Sequence, residues 1–131
     1  NTISLQKAGH QKNTTYKLAQ SIKRTRILTQ ETARDVQQMM RSVVESGTAS
    51  HLAIPGHSIG GKTGTANKPS PDGGYYDDQY IATFVGFLES PSVVILVMVD
   101  NPKDSIWGST VAGPIFRNIA LSLINHPDLD F

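Results

Sequence analysis

Apolar residues along the chain follow a helical period first, a strand period next and a helical period again at the end. From Thr29 onward they recur every three or four positions: Ala33, Val36, Met39, Met40, Val43 and Val44. This spacing predicts an amphipathic helix of about four turns, with Thr29 as its N-cap and Gly47 just past its end. Residues 1–28 sustain neither period, so we expect a loosely structured lead-in before a folded part over residues 29–131.

Three strand-like segments fill the middle of the chain: residues 57–66, 80–88 and 93–100. A loop rich in Pro and Gly at 67–78 separates the first two, and a tight turn at 89–92 separates the last two. A closing helix with apolar residues from Ala112 to Leu123 is predicted to begin at Ser109 or Thr110, which places Pro114 in its first turn. The predicted fold class is α+β: a three-stranded antiparallel meander, an amphipathic helix before it and a C-terminal helix packed on it.

The composition excludes several classes of partner and site. The 131 residues suffice for one domain or part of one, and 12 Lys and Arg against 11 Asp and Glu leave a net charge of +1, too little to attract nucleic acid. The chain has no cysteine and its histidines lack ligand spacing, so neither a metal site nor another cofactor is expected. The longest apolar run, Val93 to Val99, is far shorter than the roughly 20 residues of a membrane span.

The segment Gly56-His-Ser-Ile-Gly-Gly-Lys-Thr-Gly-Thr-Ala66 satisfies two motifs at once. Gly56, Gly61, Lys62 and Thr63 fit the phosphate loop G-x-x-x-x-G-K-[ST], which would indicate a nucleotide-binding domain. That loop requires a helix beginning at the Lys-Thr pair, because amides at the helix N-terminus hold the phosphates. Two prolines and three glycines within residues 64–74 disfavour such a helix, since each interior Pro costs about 3 kcal/mol and each Gly about 1. Lys62 is therefore predicted to lie on a β-strand.

Lys62-Thr63-Gly64 is also the K-T-G element of penicillin-binding proteins and serine β-lactamases. It is accompanied, in order, by Ala33-Arg-Asp-Val-Gln-Gln-Met-Met40, Gly61-Lys-Thr-Gly-Thr-Ala66, Tyr80-Ile-Ala-Thr-Phe-Val-Gly-Phe87 and Trp107-Gly-Ser-Thr-Val-Ala-Gly-Pro-Ile-Phe116. This succession, over about residues 29–130, resembles the C-terminal part of the transpeptidase domain of class B penicillin-binding proteins, with features of the division-specific subfamily. One departure is Ser109, where that family usually has a second glycine. Trp107 fits either the mouth of the cleft or the core.

The resemblance implies peptidoglycan D,D-transpeptidation, in which a serine attacks a D-alanyl-D-alanine stem peptide and passes the acyl group to an amine. It implies catalytic roles for Lys62, as a positive charge, and for Thr65, whose amide would complete the oxyanion hole. The hydroxyls of Thr63 and Thr65 would hold the substrate carboxylate, and Gly64 would leave room for the substrate. β-Lactams would bind the same residues. The full-length protein would work on the extracytoplasmic (periplasmic) face of the cytoplasmic membrane, held by an N-terminal anchor that is absent here.

The family also needs the motifs S-x-x-K and S-x-N upstream of K-T-G. No S-x-N occurs, and the one S-x-x-K, Ser4 to Lys7, lies too close to Lys62 for the helical subdomain that the family has between them. We therefore expect this chain to supply one side of an active site, to be inactive alone and to need the remainder of the domain as its partner. The strand at 93–100 would then have an uncovered apolar edge. Two alternatives stay open: a P-loop-like nucleotide-binding domain, and a catalytically dead binding module of the same fold.

Overall fold

The computed structural model describes residues 25–126 in full and the main chain of residues 2–5 and 14–17. In chain order the elements are β1 (Thr2–Leu5), β2 (Thr14–Lys17), α1 (Gln30–Glu45), a short 3₁₀ helix (Ser50–Leu52), β3 (Ile59–Pro69), β4 (Tyr75–Leu88), β5 (Val93–Asp100) and α2 (Gly108–Asn125). Strands β1 and β2 pair antiparallel in a two-stranded sheet of their own. The predicted lead-in over residues 1–28 lies largely outside the described residues and stays a prediction.

Helix α1 begins where the sequence predicts. The hydroxyl of Thr29 accepts a hydrogen bond from the Thr32 amide at 3.1 Å, and so satisfies one of the donors that the first helical turn leaves free. The helix ends at Glu45, two residues before the predicted Gly47. A capping residue thus fixes the start of α1, which the apolar period alone locates less sharply.

Strands β3, β4 and β5 form an antiparallel sheet in that order, which confirms the predicted meander. Successive side chains of a strand alternate between faces, so the sheet has two faces that can be covered differently. One face holds the core, where the ring centroids of Phe84 and Phe116 lie 4.8 Å apart and Ala112 and Ala120 of α2 are buried beside them. Helix α2 therefore packs on this face, as the sequence predicts.

The opposite face is covered by α1 only on its β3 side. Gly60 on β3 has no room for a side chain, because a Cβ there would overlap the ring of Phe87 and lie 3.2 Å from the amide nitrogen of Arg41 on α1. Towards β5 the same face is open: Val94, Leu96 and Met98 are 72%, 61% and 61% exposed. Helix α2 therefore covers one face of the sheet, and α1 covers only the β3 side of the other face.

The β3–β4 hairpin is longer than the sequence predicts. The predicted loop at 67–78 shrinks to a turn at 70–74, because β3 continues to residue 69 and β4 begins at residue 75. The side-chain amide of Asn67 donates to the Tyr76 carbonyl at 2.9 Å and joins the two strands beyond the predicted boundary. Gly73 and Gly74, with φ of 95° and 71°, make the turn itself. The loop prediction was wrong because Pro and Gly mark only the tip of this hairpin.

Helix α2 begins at Gly108, before the predicted Ser109 or Thr110, so the placement of Pro114 in the first turn was wrong. Pro114 lies in the second turn, where it cannot donate to the carbonyl of Thr110. Both residues are exposed, so water can replace the missing donor. No helix of the described residues is long and apolar enough to cross a membrane.

Candidate active site on the outer edge of β3

The outer edge of β3 carries the residues that the sequence singles out. In an antiparallel pair, residues that exchange main-chain hydrogen bonds alternate with residues that do not. The amide of Glu89 donates to the carbonyl of Ser58 at 3.3 Å, so the register makes residues 60, 62, 64 and 66 the ones that bond to β4. The amides and carbonyls of Thr63 and Thr65 consequently point away from β4. On that side, no strand of the described residues pairs with β3.

Lys62 and Thr63 place a positive charge and a hydroxyl together at this edge. The ammonium Nζ of Lys62 donates to the carbonyl of Thr63 at 2.8 Å and to its hydroxyl at 3.4 Å. The first of these contacts agrees with a Thr63 main chain that faces the open side. The Lys62 side chain is exposed, so the pair can offer two donors to an incoming carboxylate.

Packing against β4 explains the glycine at position 64, in addition to its predicted role in substrate binding. A Cβ at this position would lie 2.4 Å from the hydroxyl oxygen of Thr83 on β4. Any larger residue would therefore displace Thr83, whether or not a substrate is bound. The role of Gly64 in leaving room for a substrate stays a prediction.

Thr65 connects the K-T-G strand to the loop at residues 101–107. Its hydroxyl donates to the carbonyl of Ile106 at 3.3 Å. The loop joins β5 to α2 and has to cross β4 to make this contact, since β3 and β5 lie on opposite sides of β4. Immediately afterwards, Gly108 fits against both neighbouring strands: a Cβ there would lie 2.1 Å from the carbonyl oxygen of Thr83 and 2.7 Å from that of Gly64. Helix α2 thus begins directly behind the K-T-G element.

Trp107 lies between these two contacts and is 62% exposed, so it takes no part in the core that the described residues form. Its amide donates to the hydroxyl of Ser105 at 3.3 Å, and its carbonyl accepts from the Thr110 amide at 2.9 Å. The main chain of Trp107 is therefore held next to Gly64 and Thr65 while the indole meets solvent.

An ion pair fixes α1 near the start of β3. The guanidinium of Arg41 bonds to the carboxylate of Glu89, donates to the Ser58 hydroxyl at 3.3 Å and lies 5.8 Å from the centre of the Phe87 ring. The hydrogen bond from Arg41, with a smaller contribution from Ser58, holds the pKa of Glu89 below its ordinary value. The sequence gives no sign of this group, because Ser58 and Glu89 lie 17 and 48 residues from Arg41.

The structure decides between the two motifs that share residues 56–66. Lys62 and Thr63 lie inside β3, which confirms the prediction of a strand, and β3 continues to residue 69 without any helix. The helix N-terminus that a phosphate loop needs is therefore missing from this segment, and the nucleotide-binding alternative is not favoured. Among the described residues, no three His, Asp or Glu side chains approach closely enough to hold a metal ion.

Comparison with known proteins identifies the family. The family model for the penicillin-binding protein transpeptidase domain matches residues 2–121. The chain belongs to this family. Stage V sporulation protein D of Bacillus subtilis is 41% identical over 108 residues, which are 80% of this chain. The probable peptidoglycan D,D-transpeptidase PenA of Neisseria meningitidis is 41% identical over 104 residues, or 76% of this chain.

Solved transpeptidase domains share the fold as well. The domain of penicillin-binding protein 3 from Burkholderia pseudomallei matches with a TM-score of 0.58 at 38% identity, over 76% of this chain and 32% of that one. The domain of the FtsI4 D,D-transpeptidase from Legionella pneumophila matches with a TM-score of 0.59 at 26% identity, over 76% of this chain and 37% of that one. The chain spans only 17% and 18% of the two curated relatives, and 32% and 37% of the two solved domains, so it corresponds to part of a transpeptidase domain.

Proposed function

We propose that this chain is the K-T-G side of the active site of a class B peptidoglycan D,D-transpeptidase, a penicillin-binding serine acyltransferase that cross-links cell-wall peptides. The observation that carries the proposal is the open β3 edge, where the Lys62 ammonium, the Thr63 hydroxyl and the outward main chain of Thr63 and Thr65 occur together. Relatives named as D,D-transpeptidases support the reaction.

The substrate would be a stem peptide that ends in D-Ala-D-Ala and lies antiparallel along β3 as an added strand. Binding of this kind uses main-chain hydrogen bonds at an open edge, and Thr63 and Thr65 turn their amides and carbonyls to that side. The terminal carboxylate would lie against the Lys62 ammonium and the threonine hydroxyls, because charge-assisted hydrogen bonds of this type are the strong ones. Gly64 would keep the approach free of a side chain.

In the acylation step, a serine hydroxyl attacks the carbonyl carbon of the penultimate D-alanine, and the bond to the nitrogen of the terminal D-alanine breaks. The charge that develops on the carbonyl oxygen would be held by the outward amide of Thr65. One such donor typically contributes about 3 kcal/mol of transition-state stabilisation. The positive charge of Lys62 would add to it. An amine of a neighbouring stem peptide then attacks the acyl-enzyme and releases the serine, and β-lactams would acylate the same serine.

The serine itself is expected from the remainder of the transpeptidase domain. The sequence has no S-x-N, and Lys7 of its S-x-x-K lies outside the described residues. We expect residues 25–126 alone to form no adduct with a penicillin, because the nucleophile would be missing. The whole protein would work outside the cytoplasm, anchored in the cytoplasmic membrane. The catalytically dead binding module differs from this proposal in one measurable respect, which is acylation of the full-length protein.

Acylation of the full-length protein by a fluorescent penicillin, followed by mass spectrometry, tests the proposal. Thr63→Val and Thr65→Val each remove a hydroxyl at nearly constant size and should lower the acylation rate roughly ten- to a hundredfold, since a hydrogen bond to a charged group is worth about 1.5–3 kcal/mol. Thr48→Val, which removes an exposed hydroxyl in the turn after α1, should react at the wild-type rate. A wild-type protein that forms no adduct would favour the dead module, and unchanged rates in both edge variants would remove these threonines from the site.

A further inference from the structure

The two threonines of the K-T-G strand differ in what their hydroxyl protons do. The Thr65 hydroxyl donates its proton to the carbonyl of Ile106 at 3.3 Å. The Thr63 hydroxyl oxygen accepts from the Lys62 ammonium at 3.4 Å, which leaves its own proton available. A hydroxyl has one proton, and an ionised carboxylate can only accept. Thr63 can therefore bind a carboxylate as it stands, whereas Thr65 has to give up Ile106 first.

Among the described residues, one side-chain hydrogen bond joins the loop at 101–107 to β3. Among the described residues, the donor to the Ile106 carbonyl is the Thr65 hydroxyl, which lies 41 positions away in the sequence. On the far side of the loop, Gly108 is held tightly between the main chains of Thr83 and Gly64. Trp107 lies between Ile106 and Gly108, and its side chain is 62% exposed. Movement of Ile106 would therefore be passed directly to Trp107.

We propose that a bound carboxylate and the Ile106 carbonyl compete for the Thr65 proton, so that filling the site releases the 101–107 loop and moves Trp107. The inference rests on the proposed function, because it takes the carboxylate to be that of a stem peptide or a β-lactam. Thr65 then has two roles: it anchors the loop in the empty site and binds the ligand in the filled one. Thr63, whose proton is already available, has only the second role.

Fluorine NMR on the full-length protein labelled with 5-fluorotryptophan tests this coupling, with Trp107→Phe to assign the resonance of Trp107. Spectra of wild type, Thr65→Val, Thr65→Ser and Thr63→Val are recorded before and after complete acylation by benzylpenicillin, with mass spectrometry to verify the adduct. Acylation should displace the Trp107 resonance of the wild type. In Thr65→Val, the Trp107 resonance should be displaced already without ligand and should shift little further on acylation, because this variant lacks the hydrogen bond to Ile106. Thr65→Ser, which keeps the hydroxyl, should behave as the wild type.

Thr63→Val is the matched control: it acylates more slowly but should show the full displacement once acylated. The inference would be overturned if acylation shifted the Trp107 resonance of Thr65→Val as far as that of the wild type. It would also be overturned if the Trp107 resonance of the fully acylated wild type did not shift. Absence of any adduct in the wild type would overturn the proposed function instead, and the carboxylate half of the inference with it. The ligand-free spectra of Thr65→Val and Thr65→Ser would still decide whether Thr65 holds the loop.

Discussion

Strands β3 and β5 are the two edge strands of the same sheet, and in each of them every second residue points its main-chain amide and carbonyl away from β4. On β3 the outward residues are Thr63 and Thr65, next to the Lys62 ammonium. On β5 the amide of Asn101 donates to the Tyr80 carbonyl at 2.8 Å, so by the register the outward residues are the even-numbered ones: Val94, Leu96 and Met98. One edge combines free main-chain groups with polar side chains, and the other combines them with exposed apolar side chains.

This difference separates an edge suited to a ligand from an edge suited to permanent cover. Hydroxyl and ammonium groups keep a free edge compatible with water, so a peptide can bind there and leave. A free edge with a row of exposed Val, Leu and Met side chains is a template for pairing with another strand, and proteins generally cover such edges. Because the relatives are several times longer than this chain, we expect the cover of β5 to come from the remainder of the domain.

Leu96→Pro in the full-length protein should have the largest effect. The main-chain amide of Leu96 points away from β4, so proline would be tolerated there if no other strand paired with β5. If another strand pairs there, the variant loses a ladder hydrogen bond and a covered side chain, on the order of 3 kcal/mol or more in unfolding free energy. Chemical denaturation measures the loss, and Leu96→Ala separates the part due to the side chain.

Thr63→Pro is the counterpart of Leu96→Pro on the other edge, since the Thr63 amide also points away from β4. It should cost far less stability, because we expect no permanent strand beside β3. Equal losses of unfolding free energy in Leu96→Pro and Thr63→Pro would contradict the distinction between the two edges.

Gly108→Ala should have an intermediate effect, confined to the β3 side of the sheet. The new Cβ would lie 2.1 Å from the Thr83 carbonyl oxygen, so main chain must move. Overpacking of this kind costs about 1–3 kcal/mol, and the roughly 1 kcal/mol by which alanine is preferred to glycine applies to a helix interior, whereas Gly108 is the first residue of α2. We expect lower unfolding free energy and slower acylation together, because the displaced strands carry the K-T-G element. Ser109→Ala, the neighbouring control, should change the unfolding free energy and the acylation rate only slightly. A Gly108→Ala protein as stable as the wild type would show that α2 does not pack tightly against the β3 edge.

The sequence predicted the features that depend on neighbouring residues. Thr29 caps α1 because its hydroxyl reaches an amide three positions away, and β5 runs over the predicted residues 93–100 because its apolar run has clear ends. The strand position of Lys62 followed from the Pro and Gly residues after it, which exclude a helix. Each of these results needs only local chemistry, which a sequence displays directly.

The features that the sequence missed depend on residues far apart in the chain. The contact between Thr65 and Ile106 spans 41 positions, and the start of α2 is set by the main chains of two strands against which Gly108 lies. A glycine after an aromatic residue signals little by itself, and only the sheet shows why no side chain fits there. The same holds for the ion pair of Arg41 with Glu89, which no period or spacing indicates.

Glu89→Gln should have the smallest effect, and it tests what holds α1 on the β3 side of the open face. Folding lowers the pKa of Glu89 below its ordinary value of 4.5, so the carboxylate contributes stability above pH 4.5 that is lost as the pH falls through the lower folded value. The variant should unfold at a lower temperature than the wild type near neutral pH, and the difference should shrink below pH 4.5. Glu45→Gln removes a carboxylate of α1 that belongs to neither ion pair of the described residues, and is the matched control for the loss of a negative charge. A difference that stays constant with pH would mean that Arg41 holds α1 through Ser58 and Phe87, without help from the charge of Glu89.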